Sequence, residues 1–80
     1  MREYELKPTT SQKSFYGKAR VLVDDDGTET LVSYTTPVMR RNADGSLTRL
    51  WRGWSATTGK HIKAFCGLGK ADCDKMEVAD

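Results

Sequence analysis

The sequence predicts an α+β domain, in which an antiparallel β-meander of three to four strands packs on one C-terminal helix, with a second short helix after it. Three observations predict this. Residues 15–23, FYGKARVLV, alternate apolar and polar side chains as a half-buried strand does. Asp26-Gly27 and Asp44-Gly45 each stand between strand-forming runs, the strongest short-range hairpin signal. Beyond Ser55, Thr58, Ile62, Phe65 and Cys66 fall at the i, i+4, i+7, i+8 spacing of one helix stripe.

Taken in order, the chain opens with Tyr4 and Leu6 alternating with charges, enough for a short edge strand. Pro8 and the polar residues around it read as a loop, and residues 1–13 are expected to be partly mobile. The meander then occupies residues 14–52. Its first strand places Phe15, Gly17, Ala19, Val21 and Val23 on one face. The adjacent Asp24-Asp25-Asp26 is better read as a turn than as a calcium loop, because no later acidic residue closes a coordination shell.

Residues 28–41 carry strand chemistry throughout and read as one long bent strand, or as two strands split near Pro37. Imperfect alternation near Ser33-Tyr34 predicts a bulge there, and Pro37 belongs at a bend, bulge or edge, where its missing N–H is not needed. Leu47 to Trp51 is the returning strand. Gly53 turns the chain into a helix within 55–67, from about Ala56 to Cys66, with Ser55 as N-cap and Gly67 and Gly69 as stops. A second short helix fits residues 70–78, with Met76 packing back. The expected core is Phe15, Val21, Val32, Tyr34, Val38, Leu50, Trp51, Trp54, Ile62 and Phe65.

Eighty residues make a single domain near the lower limit for independent folding, so the seven aromatic rings are first of all core material. A net charge of +2 is slight for a dedicated nucleic-acid binder. No apolar run reaches the roughly 20 residues that span a bilayer, and the N-terminus lacks the apolar stretch of a secretory signal. A cytoplasmic location is therefore expected. Cys66 and Cys73 are expected as free thiols, since on one helix they would stand about 10 Å apart. With one histidine and no further ligand set, neither a metal nor a cofactor is expected.

Segments SFYGKA (14–19), LVSYTTPV (31–38) and RLWRGWSATTGKHIKAF (49–65) together resemble a family of small bacterial proteins often found on phage and mobile elements, with no assigned function. Trp51, Gly53, Trp54, Ser55, Ala56, Thr57, Thr58 and His61 are the most specific part of the likeness. The resemblance implies a phage or mobile-element context and brings no active site with it.

Two surface candidates follow from the residues themselves. Arg40, Arg41, Arg49 and Arg52, extended by Lys18 and Arg20, can contact phosphates, with Trp51 or Tyr16 as a stacking surface. The plainer reading makes them solvated edge charges that prevent sheet-to-sheet association. Ser55, Thr57, Thr58 and His61 sit at a helix N-terminus that can hold an anion. The plainer reading there is capping, and no carboxylate is near in sequence to orient a Ser/His pair. The leading expectation is a non-enzymatic module that binds an unidentified protein partner; the alternative is nucleic-acid binding through the arginine hairpin.

Overall fold

The computed structural model describes residues 2–6, 17–76 and 78. Among the described residues there are five strands: β1 (Arg2–Glu5), β2 (Ala19–Val23), β3 (Glu29–Ser33), β4 (Thr36–Arg41) and β5 (Leu47–Arg49). Helices α1 (Ala56–Cys66) and α2 (Lys70–Asp74) follow. The strands lie in chain order and each pairs antiparallel with the next. The architecture is α+β, with more strands than the three to four expected.

The short edge strand expected around Tyr4 and Leu6 forms as β1, which pairs Arg2 with Val23 and Glu5 with Arg20. Part of the stretch expected to be mobile is thus a sheet edge; residues 7–13, like Phe15 and Tyr16, lie outside the described residues. β2 begins only at Ala19, because Gly17 turns the chain at a φ of 76°.

Residues 28–41 form two strands, and the break falls at Tyr34-Thr35, ahead of the expected split near Pro37. The chain reverses through Tyr34 and Thr35, and Ser33 pairs with Thr36. Tyr34 takes a φ of 58°, a conformation that L-residues other than Asn and Asp rarely adopt. No glycine or asparagine marks this turn. It leaves Tyr34 exposed at the hairpin tip, which corrects its place in the expected core. The bulge lies further along than expected. Leu31 pairs with Met39 and Val32 with Pro37, so Val38 is the extra residue. Consecutive Val38 and Met39 are consequently both buried. Pro37 stands beyond the end of β5, where no strand among the described residues needs its N–H.

The two Asp-Gly turns share one geometry. Asp24 N–H donates to Thr28 O and Gly27 N–H to Asp24 O; Asn42 N–H donates to Ser46 O and Gly45 N–H to Asn42 O. In each turn the aspartate before the glycine accepts from the residue after it, Asp26 from Thr28 and Asp44 from Ser46, both at 2.9 Å. These bonds hold both carboxyls below their ordinary pKa.

One face of the sheet carries the core. Ala19, Val21, Leu31, Val38 and Met39 meet Ile62 and Phe65 of α1 and Cys73 of α2, with Leu6 at the margin. Val32 is buried as well. Trp51 and Trp54 are half-buried against the cluster, as is Met76, while Leu50 is half-buried. α1 is capped as its sequence predicts. Ser55 Oγ accepts from Thr58 N–H at 3.1 Å, and Gly67, at φ 80°, donates to Lys63 O. α2 stops at Asp74, earlier than expected, and Val78 forms a parallel bridge with Arg49 beside β5.

Candidate interaction surface

Strand alternation separates the arginines that the sequence groups together. Arg40 lies on the face away from the helices, where its Nε donates to Asn42 Oδ1 at 2.9 Å. Arg41 lies on the helix face. It donates to Glu29 Oε1 at 2.9 Å and to Phe65 O at 2.6 Å, and its guanidinium stands 4.5 Å from the centre of the Phe65 ring. A cation at the last turn of a helix also complements the dipole there.

Arg49 is not a surface residue, and this corrects its place in the expected recognition surface. Only 7% of it is exposed. Its guanidinium donates to Trp51 O (2.8 Å), Cys73 O (2.8 Å), Arg52 O (3.0 Å) and Gly53 O (3.2 Å). Asp74 supplies a carboxylate at 3.9 Å, and that carboxyl is held low chiefly by its bond from Lys70. The side chain ties β5, the Trp-Arg-Gly-Trp corner and α2 together through four backbone carbonyls, of which that of Cys73 also accepts from Met76 N–H. Arg52 itself is exposed.

Lys18 and Arg20 remain near the surface, beside Tyr34. Lys18 Nζ lies 5.7 Å from the centre of that ring. Arg20 donates to Tyr34 O at 3.4 Å and pairs with Glu3 at 3.3 Å.

The helix N-terminus is organised around a residue that sequence reasoning missed. Ser33 Oγ bonds Thr58 Oγ1 at 2.9 Å and His61 Nδ1 at 2.8 Å. All three side chains are buried, His61 being 1% exposed and Ser33 2%. Burial pushes the imidazole below its ordinary pKa. The Tyr34 ring lies 6.0 Å from the imidazole, centre to centre. The three segments that carry the family resemblance thus converge here, through Lys18, Ser33-Tyr34 and Thr58-His61. A serine in an irregular stretch between two apolar runs was the available signal. Ser55 and Thr57 stay exposed at the start of α1.

Cys66 and Cys73 are free thiols, and burial pushes both above the ordinary thiol pKa. Among the described residues, no three metal-ligating side chains converge. No helix among the described residues is long and apolar enough to cross a membrane.

The most open backbone is at β1. All four of its residues are exposed. Leu6 N–H donates to Ala19 O, so by the period of two Arg2, Tyr4 and Leu6 face β2. The N–H and C=O groups of Glu3 and Glu5 therefore point away from the sheet and meet no described strand. Beside this edge lies a shallow cleft of about 460 Å³, lined by Arg2, Glu3, Tyr4, Val23, Gly27 and Glu29. Tyr4 donates to Glu29 at 3.2 Å, and partial burial with the Glu29 charge raises the phenol's pKa.

Residues 4–79 match DUF8033, a family of unknown function. The chain belongs to that family. No curated protein and no solved structure matches it. The DUF8033 match runs from Tyr4 in β1 to beyond α2, so it takes in the cleft tyrosine, the Ser33–His61 contact and the buried Arg49.

Proposed function

We propose that this DUF8033 domain is a non-enzymatic adaptor that takes an extended segment of a protein partner as a sixth strand beside β1. The observation that carries this reading is the outward-facing backbone of Glu3 and Glu5 next to the Tyr4 cleft. Strand addition uses such an edge for affinity and a neighbouring pocket for alternate side chains. The opposite edge is partly covered, since Val78 bridges to Arg49 of β5. Burial of both Ser33 and His61 supports a clasp in place of a nucleophile and base, which a substrate would have to reach. The resemblance to small phage and mobile-element proteins supports a cytoplasmic partner in the host cell.

Glu3→Pro tests the proposal. It removes an N–H that faces away from β2, and proline is tolerated at a sheet edge in that orientation. Affinity capture from a lysate of the source cells is expected to recover a partner with the wild-type chain and lose it with Glu3→Pro. Equal recovery by a folded Glu3→Pro chain overturns the reading.

A second reading, nucleic-acid binding, is favoured by Lys18 and Arg20 flanking the exposed Tyr34. It is weakened by the commitment of Arg41 and Arg49 to internal partners. Binding of single-stranded DNA or RNA that falls steeply with salt and is lost in Lys18→Ala with Arg20→Ala would support it. Absence of binding at low salt would end it.

A further inference from the structure

We infer that the segment received at β1 is basic, with Lys or Arg at alternate positions opposite Glu3 and Glu5, and that the same carboxylates exclude a second copy of this chain. The inference rests on the edge-strand reading above and follows from register and charge.

Glu3 and Glu5 are the two β1 residues whose backbone groups face outward, so an incoming antiparallel strand must form its hydrogen-bonded pairs with them. Side chains directly opposite in a ladder lie about 4.5–5.5 Å apart at Cβ, close enough for opposite charges to attract and like charges to repel. Two copies of this edge can pair antiparallel, with outward groups matched, as Glu3 with Glu3, Glu3 with Glu5, or Glu5 with Glu5. Every one of these registers sets a glutamate against a glutamate. The edge is therefore closed to itself.

Both carboxylates are already held in place on their own side. Glu3 Oε1 takes Arg20 at 3.3 Å, and Glu5 Oε1 accepts from Gly17 N–H at 3.0 Å. Half of the Glu3 side chain stays exposed, and Arg20 reaches it from β2, away from where a sixth strand would lie. Between the two glutamates, Tyr4 points to the other face beside Val23 and Gly27 in the cleft. The incoming residue between the two cations therefore meets the Tyr4 ring and Val23, in a cleft that Arg2 and Glu29 also line. Cation at alternate positions, with a side chain that can lie on Tyr4 between them, is the sequence this edge reads.

The test is a titration of the isotope-labelled full chain with two heptapeptides, one alternating Lys and Val and the other alternating Glu and Val. The Lys-Val peptide is expected to slow hydrogen exchange at the Glu3 and Glu5 amides, which β2 does not use. Neutralising both sites, Glu3→Gln with Glu5→Gln, is expected to weaken that binding at least tenfold. Reversing them, Glu3→Lys with Glu5→Lys, is expected to transfer preference to the Glu-Val peptide. Equal protection by both peptides on the wild-type chain overturns the charge inference and leaves the edge reading standing. Protection by neither overturns both. Slowing of the same amides by raising the concentration of the chain alone would overturn the exclusion of self-pairing. These wild-type outcomes decide the matter even should a variant fail to fold.

Discussion

The indole of Trp54 rests on Gly59 so closely that a Cβ built there would stand 2.6 Å from Trp54 Cζ2. Gly53 stands in the same relation to Trp51, again at 2.6 Å. A glycine inside a helix costs roughly 1 kcal/mol against alanine. In α1 that cost is offset by letting a large ring approach the backbone closely.

Gly59→Ala is therefore expected to destabilise the domain by about 1–3 kcal/mol despite its better helix propensity. In a Trp54→Ala background the same change should be neutral or stabilising. Urea denaturation of the wild type and the three variants of a double-mutant cycle checks this; additive effects would remove the ring as the cause.

Arg49→Ala should be among the most damaging single changes, at about 2–5 kcal/mol, because it strips donors from four backbone carbonyls. Arg49→Lys keeps the charge but lacks the planar fork, and is expected to recover only part of the loss. Arg40→Ala, at a partly buried side chain on the other face, should shift the urea midpoint far less.

Stability should also fall in mild acid through His61. Burial places its pKa in the folded chain below the ordinary 6.5, so the unfolded chain takes up the proton first as pH falls. The contribution is complete above pH 6.5 and is lost as pH drops from there toward the lower folded value. The lowered aspartate pKa values act in more acidic solution, which leaves this window to the histidine. Urea midpoints between pH 7.5 and about 5 should decline for the wild type and flatten in His61→Gln.

Tyr34→Asn is expected to stabilise the chain by roughly 0.5–1 kcal/mol, because asparagine tolerates the positive φ that tyrosine holds at a cost. A rise in melting temperature would mean that the exposed ring is retained for something other than stability. A fall would assign it a structural part through its contacts with Lys18 and His61.

Much of the fold is legible in local chemistry. Ser55 and Gly67 cap α1 because a hydroxyl and a left-handed residue are what its ends require. Both Asp-Gly turns are readable because glycine permits their positive φ. The Tyr34-Thr35 reversal is not readable in this way, since a tyrosine is forced into the turn by pairing on both sides: its N–H bonds Lys18 O while Ser33 pairs with Thr36. Arg49 misleads for a related reason. A guanidinium reads as surface charge until the carbonyls of residues 51, 52, 53 and 73 are brought around it. Ser33 acquires meaning only when α1 sets Thr58 and His61 against it. Local alternation suggests an edge strand around Tyr4, but which backbone groups stay open at Glu3 and Glu5 depends on a pairing between residues that lie 15 or more positions apart.

Strands that follow one another across the sheet in chain order have a kinetic consequence. Folding rates fall as contacts join more distant residues, and here three of the four ladders close over reversals of only a few residues. Hairpins form on the order of microseconds, so β2 to β5 should assemble first, as a ribbon growing from its own turns. β1 must wait for a longer closure, and Arg49 for the arrival of Cys73. The edge proposed to receive a partner would then be the last strand laid down, and the first to peel away.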